Sequence, residues 1–545
     1  YGIAKNGGTL FAEAPTGIGK TISTLYPFVR SFSDGVNEKI FYLTAKNSGK
    51  EAALQAVELM KSKGVKLSEV LVTAKDKICF CPGKACNPDE CPFAKDYYTK
   101  IRDVLTKSLA RYDTFDSSRV SRIAAAHHIC PFELQLDLSL YVDVIICDYN
   151  YLFDPLVYFR RYFDNDASRM LALIDEAHNL VDRGRDMYSA SLDSASFEKA
   201  RKAVRKLDHK KYKNASKRIA KLFNELKENS PIGETVLANF DAKIIRAMEA
   251  YLLATQDINR NHHDYVDEDF RQFFLDINRF LKIYEFVDDS FTLYVTNTND
   301  KIVKISIFCL DPSRHLARSL GQVKGRILFS ATLSPHEYYV DVIGGRKEDP
   351  VLLLPSPFEA DNLLLMIAPT VSIKYKNRAD TYKVVAEYIE NFVSHKMGNY
   401  LIYAPSHAYL AELVEHLNFP DDYDVFVQLR EMDDLDKERF LERFQLNPSK
   451  TTIGIVVVGG VFGEGIDLVE DRLIGVAVIG VGLPQLGFER DLIRDYFDNR
   501  GQKGYEYAYV NPGMNRVMQA VGSVIRSEKD RGMALLIDDR FLNAR

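Results

Sequence analysis

A chain of 545 residues is too long for one compact module, since domains run at roughly 100 to 200 residues each; about three to four are expected. With 46% hydrophobic and 27% charged residues it is not a disordered chain, and no run approaches the ~20 consecutive apolar residues of a membrane span. The 71 Lys+Arg against 76 Asp+Glu give a net charge of −5, which excludes a uniformly basic nucleic-acid binder and makes the placement of the charges decisive. Seven cysteines are sparse for a disulfide scaffold and odd in number, so a reducing, cytoplasmic location is expected.

In chain order, residues 7 to 180 alternate short apolar, β-rich runs with turns or helical stretches: Thr9 to Ala14, Ile40 to Ala45, Val70 to Ala74, Val142 to Asp148 and Leu171 to Asp175. Near-continuous apolar strands between helices predict a parallel sheet buried on both faces. From about 185 to 318, Lys, Arg, Glu, Leu and Ala dominate at helical spacing and Gly and Pro are scarce, which predicts a mainly helical insertion. Arg326 to Ala331 returns the chain to the first lobe, and Pro335, Pro350, Pro355 and Pro357 mark an extended linker. A second series predicts a second α/β lobe: Tyr400 to Ala404, Val425 to Gln428, Ile453 to Val458, Leu473 to Ile479 and Met533 to Ile537.

The strongest local signal is Ala14-Pro15-Thr16-Gly17-Ile18-Gly19-Lys20-Thr21, between a strand and a helix. A phosphate chain needs backbone N–H groups in a tight loop, a cation, and a hydroxyl for Mg²⁺. Gly17 and Gly19 give the loop, Lys20 the β/γ-phosphate contact and Thr21 the metal ligand, while Ala14 replaces the usual first glycine. The complementary acidic box is Asp175-Glu176-Ala177-His178 at the end of another apolar strand. Asp175 is expected to hold Mg²⁺ through water, and Glu176 to orient and deprotonate the attacking water.

With these two elements the chain resembles superfamily 2 helicases, and within them the XPD/DinG group of iron–sulfur DNA helicases, the bacterial Rad3-related group included. Leu43-Thr44-Ala45-Lys46 looks like motif Ia, Asp148-Tyr149-Asn150-Tyr151-Leu152 like the group's asparagine–tyrosine stretch, and Ser330-Ala331-Thr332-Leu333 like motif III. Gly398-Asn399-Tyr400 with Ala404-Pro405-Ser406 is similar to motif IV, Gly463-Glu464-Gly465-Ile466-Asp467 to motif V, and Gln519 to Arg526 to motif VI. The resemblance implies an α/β fold of two RecA-like lobes with parallel sheets, an iron–sulfur insertion and a helical, arch-like insertion in lobe one. On these positions lobe one comprises 1–74, 136–184 and 319–337; the cluster insertion is 75–135, the arch 185–318, and the linker with lobe two 338–545.

The implied activity is ATP-dependent 5′ to 3′ helicase or translocase action on single-stranded DNA and on forked or tailed duplexes, by a monomer that needs no membrane. Its catalytic set is Lys20, Asp175, Glu176, Gln519 and Arg526; its nucleotide contacts are Thr16, Gly17, Ile18, Gly19, Lys20, Thr21, Asp175, Gly465 and Asp467, with Mg²⁺ at Thr21 and Asp175. One departure stands out: motif VI normally reads Gly-Arg-x-Ile-Arg, and here Ser523 takes the first arginine position, leaving Arg526. A hydrolysis-impaired, ATP-gated nucleic-acid-binding component is therefore an alternative, as is a translocase that acts on RNA or displaces proteins.

Cys79, Cys86 and Cys91 follow a C-x6-C-x4-C spacing, and Cys130 comes 39 residues later. Four thiolates complete either an iron–sulfur cluster or a tetrahedral zinc, for which His127 and His128 are further donors. The missing C-x2-C knuckle speaks against zinc, and Cys130-Pro131-Phe132-Glu133 resembles the group's insertion, implying a 4Fe–4S cluster. Cys81 is a fifth thiol, and Cys147 and Cys309 lie in apolar runs expected to be core. From Arg201 to Lys227 eleven Lys and Arg face two acids, a local balance of +9. Such a run is either a solvated helix face or a phosphate-neutralising surface. Lys75, Lys77, Lys84, Lys95 and Lys100 beside Tyr97 and Tyr98 suggest stacking of single-stranded bases near the cysteines.

Overall fold

Residues Lys39–Leu43 are buried at every position, which a strand tolerates only when both faces of its sheet are covered. The structure, a computed structural model, describes all residues except 85, 164–167, 240, 262–265, 299–301, 461, 464, 465, 467 and 543–545, and except the side chains of 260, 261 and 434. Lobe one is built on strands β1 (Gly8–Glu13), β2 (Lys39–Leu43), β3 (Glu69–Leu71), β4 (Thr114–Phe115), β5 (Val144–Cys147) and β6 (Met170–Asp175). Four insertion strands follow, β7 (Ala190–Asp193), β8 (Gly233–Leu237), β9 (Phe291–Asn297) and β10 (Val303–Cys309), and then β11 (Gly325–Ser330) and β12 (Val351–Leu353). The sheet of lobe one is parallel throughout, in the order β12-β1-β11-β6-β2-β5-β3-β4.

The alternation of side chains sorts its core into two layers. Phe41 and Leu43 face one way with Ile145, Cys147 and Ile174, while Ile40 and Tyr42 face the other with Val144, Ile146 and Leu173. Register aligns the functional ends: Glu13 lies opposite Ser330, Phe329 opposite Asp175, and Leu43 opposite Ile174. The P-loop, the acidic box and the motif III stretch thus leave the sheet at one edge, where this architecture favours ligands. Lys39 is buried at the opposite edge; its ammonium donates to the carbonyls of Ser139 at 2.8 Å and Val142, past the end of helix Pro131–Leu138, and burial lowers its pKa to about 8.

Lobe two carries β13 (Leu363–Ala368), β14 (Asn399–Ala404), β15 (Asp424–Val427), β16 (Thr452–Val457), β17 (Gly475–Ile479) and β18 (Gly532–Ile537) in the parallel order β13-β18-β17-β14-β16-β15. The strand-like runs expected in both lobes each seed a strand, though the run Val70 to Ala74 does so only as far as Leu71. The chain stays with lobe one longer than its prolines suggest: Tyr338 and Tyr339 of helix His336–Ile343 pack in the lobe-one core, and β12 pairs with β1. Helix Phe488–Asn499 of the second half also packs there through Ile493 and Phe497, fixed by Arg490 to Asp182 at 3.4 Å and Arg500 to Asp289 at 2.5 Å.

The insertion at 185–318 has the expected helices, Ser194–Ala203, Lys210–Asn229, Ala242–Asn261 and Glu268–Tyr284. It also has an antiparallel sheet, β7-β10-β9-β8, which the helical texture of the segment as a whole concealed. Its helix Glu268–Tyr284 reaches the cysteine segment, where Arg271 bonds the Gly83 carbonyl and approaches Glu90 at 3.5 Å. Among the described residues no helix is long and apolar enough to cross a membrane.

Candidate active site between the lobes

The P-loop turns on two glycines with positive φ: Gly17 at 83° and Gly19 at 74°, a left-handed conformation that caps helix Lys20–Arg30. A methyl group on Gly17 would also lie 2.2 Å from the Arg526 carbonyl and 2.7 Å from the Phe358 ring, so no side chain fits there. The same approach brings the Thr16 hydroxyl to 3.3 Å from the Gly522 carbonyl. The motif VI segment of lobe two therefore rests directly on the P-loop.

Lys20 is largely buried, and burial lowers its pKa against the opposing pull of Glu176 and Asp175, with Arg526 close enough to lower it further. Asp175 is 6% exposed, and burial beside Glu176 raises its pKa to about 7. Two tyrosines hold this turn. Tyr42 donates to Asp175 Oδ2 at 2.9 Å and lies 3.5 Å from Thr21 Oγ1; Tyr149 bonds the Asp175 carbonyl and, at 2.9 Å, the Glu176 carbonyl. Glu176 itself has φ of 50°, unusual for a side-chain-bearing residue, and the Tyr149 hydroxyl supports that turn.

A hydrogen-bond chain then crosses between lobes. Ser330 Oγ donates to Glu176 Oε2 at 3.1 Å and lies 2.7 Å from His178 Nδ1, and Gln519 Nε2 lies 2.6 Å from His178 Nε2. An amide donor at Nε2 leaves the imidazole proton on Nδ1, facing Ser330, whose own proton is given to Glu176. Thr332 joins the same contact: its hydroxyl lies 3.2 Å from Asn515 Oδ1 and 3.5 Å from Gln519 Nε2. Lys20, Thr21, Asp175, Glu176, Gln519 and Arg526 are thus brought together, with Thr16, Gly17, Ile18 and Gly19 in the loop itself. Gly465 and Asp467 lie outside the described residues. Tyr42, His178, Ser330 and Asn515 were not singled out from the sequence as site residues. Only His178 and Ser330 lay inside quoted motifs; a tyrosine within an apolar strand announces a buried hydroxyl but not its partner.

Ser523 does not face the cleft. It is 5% exposed at the end of helix Asn511–Gly522, donates to the Ala520 carbonyl at 2.6 Å and borders the Tyr403 hydroxyl.

Among the described residues no group of three or more His, Cys, Asp or Glu is disposed to hold a metal ion. The cysteine segment is nonetheless drawn together. The Lys75 ammonium lies close enough to Cys86, Cys79 and Cys130 that the thiols raise its pKa, and Cys81 lies near Cys91, both as free thiols. Cys79 Sγ accepts the Cys81 N–H at 3.4 Å, and Cys130 sits at the N-cap of helix Pro131–Leu138, where burial raises its pKa. His128 stacks on Phe93 rather than facing the thiols. Cys147 and Cys309 are fully buried, as expected of core thiols. Tyr97 is also core, 4% exposed with its hydroxyl on Asp137, so of the expected aromatic pair only Tyr98, 88% exposed, is available for stacking. In helix Lys210–Asn229 the run of cations forms one face: Lys210, Lys211, Lys213, Lys217, Arg218 and Lys221 are exposed while Tyr212, Ile219, Leu222 and Phe223 are buried.

Two family models match, both of helicases: DEAD_2 over residues 51–197 and the helicase C-terminal domain over residues 389–545. The ATP-dependent DNA helicase XPD of Sulfolobus acidocaldarius is 24% identical over 97% of this chain and 92% of its own length. The ATP-dependent DNA helicase DinG of Photobacterium profundum is 26% identical over 46% of this chain and 36% of its own. A solved XPD helicase structure superimposes with a TM-score of 0.65 at 19% identity, over 99% of this chain and 94% of that one, which shows the shared fold. With both lobes parallel, the P-loop and acidic box at one sheet edge, and motif VI seated on them from the other lobe, the chain belongs to the XPD/DinG/Rad3 family of helicases.

Proposed function

We propose that this chain is an ATP-dependent DNA helicase that tracks 5′ to 3′ on single-stranded DNA and hydrolyses ATP between its lobes. The observation that carries the reading is the continuous contact from Glu176 through Ser330 and His178 to Gln519, because it ties the candidate base in lobe one to motif VI in lobe two. Lys20 and the loop N–H groups bind phosphates, Glu176 takes the proton of the attacking water, and Arg526 neutralises charge on the γ-phosphate. The buried Asp175 carboxylate, its pKa raised to about 7 beside the half-buried Glu176, suits a divalent cation, which Thr21 and Asp175 would hold as Mg²⁺. The exposed cationic face of helix Lys210–Asn229 suits the DNA backbone. Strand displacement on 5′-tailed and 3′-tailed duplexes, with and without ATP, tests the reading: unwinding is expected only with ATP and only from the 5′ tail. Displacement confined to the 3′ tail overturns the polarity, and none from either tail overturns the helicase.

Cys79, Cys86, Cys91 and Cys130 fit a 4Fe–4S cluster in their chemistry: four thiols, one already accepting a backbone N–H group, with the Lys75 ammonium nearby to offset thiolate charge. A bound cluster would cross-link the segment around 79–91 to residue 130. Anaerobically purified protein is expected to contain about four irons per chain and to absorb in the thiolate-to-iron region; stoichiometric zinc would replace this assignment. A second reading, an ATP-gated binding component with weak turnover, is favoured by one observation, the buried Ser523 in place of a cleft arginine.

A further inference from the structure

We propose that Tyr42 is a positioning residue for the divalent cation, setting the Asp175 carboxylate and the Thr21 hydroxyl in the orientation that metal binding requires. The inference rests on the ATP-hydrolase reading and concerns a side chain outside every motif quoted above. β2 is otherwise apolar after Lys39, and Tyr42 is fully buried, its ring edge-on to Phe329 with centroids 6.3 Å apart. Its hydroxyl stands between the two candidate metal ligands, 2.9 Å from Asp175 Oδ2 and 3.5 Å from Thr21 Oγ1.

A phenol has one proton and two lone pairs. The proton goes to the nearer and charged acceptor, Asp175 Oδ2, which fixes the carboxylate plane together with the Glu176 N–H on Oδ1 at 2.9 Å. The phenolic oxygen then stands 3.5 Å from Thr21 Oγ1, which keeps the threonine hydroxyl beside the carboxylate. Gly49 borders Oδ2 on one flank, where a methyl would come within 3.1 Å of Oδ2 and 2.3 Å of Thr44 Oγ1. Tyr149 acts on the same turn but through carbonyls, so it secures the path of the chain and not the carboxylate. Hydrogen bonds that orient ligands in this way typically govern about 10- to 100-fold in metal affinity.

The test is nucleotide binding without turnover. A fluorescent, non-hydrolysable ATP analogue is titrated in EDTA and across a Mg²⁺ series with wild type, Tyr42→Phe and Tyr149→Phe, each checked by thermal melting. Tyr42→Phe keeps the ring and is expected to bind the analogue in EDTA as wild type does, while its Mg²⁺ midpoint rises about 10-fold or more. Tyr149→Phe loses a hydroxyl from the same turn and is expected to leave the Mg²⁺ midpoint in place. An unchanged midpoint in Tyr42→Phe overturns the proposal. So does weakening equal in EDTA and Mg²⁺, which marks general support of the P-loop, and so does an equal shift in Tyr149→Phe, which marks loosening of the whole turn. A wild type whose nucleotide binding ignores Mg²⁺ would instead defeat the underlying ATP-hydrolase reading.

Discussion

Glu176→Gln is expected to lower DNA-stimulated ATP hydrolysis by ~10²- to 10⁴-fold while nucleotide binding persists. The substitution keeps the size of the side chain and an oxygen for the Ser330 hydroxyl, which now lies 3.1 Å from Glu176 Oε2, but removes the group able to accept a proton from water. The backbone of the turn should survive, because its unusual φ is supported by Tyr149 on main-chain carbonyls that the substitution leaves alone. Steady-state ATPase and a nucleotide titration on the same preparation separate the two effects. A variant that turns over within a few-fold of wild type would place the base elsewhere in the cleft. Loss of binding together with turnover would instead make Glu176 a structural member of the P-loop pocket.

Ser523→Arg should act in the other direction. An arginine that stabilises transition-state charge is worth ~10³- to 10⁵-fold in phosphoryl transfer, and a rise in DNA-stimulated turnover of about 10³-fold is expected where that residue is missing. Reach is favourable, since the neighbouring Gly522 carbonyl is 3.3 Å from Thr16 and the Arg526 carbonyl packs on Gly17. The cost is local: the serine sits in the lobe-two core beside Tyr403, so an arginine must thread its stem out of that site and carry its charged head to the cleft. Ser523→Lys makes the comparison sharper, because a point charge lacks the planar fork and should recover less. A folded Ser523→Arg protein with unchanged turnover would show that this position does not limit hydrolysis, and would remove the argument for an ATP-gated binding component.

Much of the site was legible because its elements are local. The run from Ala14 to Thr21 needs only a strand, two glycines and a helix to become a phosphate loop, and all three are written within a few residues of one another. The acidic box is likewise a strand end, and the two strand series foretell two parallel sheets. Charge was legible only by segment: the net −5 hides a cationic run from Arg201 to Lys227, most of it on one insertion helix.

What the sequence determined by itself, then, was the pair of lobes, the phosphate loop, the acidic box and the set of thiols, since hydrophobic period and glycine placement act over neighbouring residues. Tertiary structure alone decided how these meet: that Gln519 finds His178 341 positions away, that Tyr42 spans Thr21 and Asp175, that Ser523 and Tyr97 turn inward, and that a sheet is folded into the helical insertion. The reason is physical. A buried hydroxyl, amide or imidazole must find a partner, but which partner is set by strand register and lobe packing, and neither is encoded in the few residues around it.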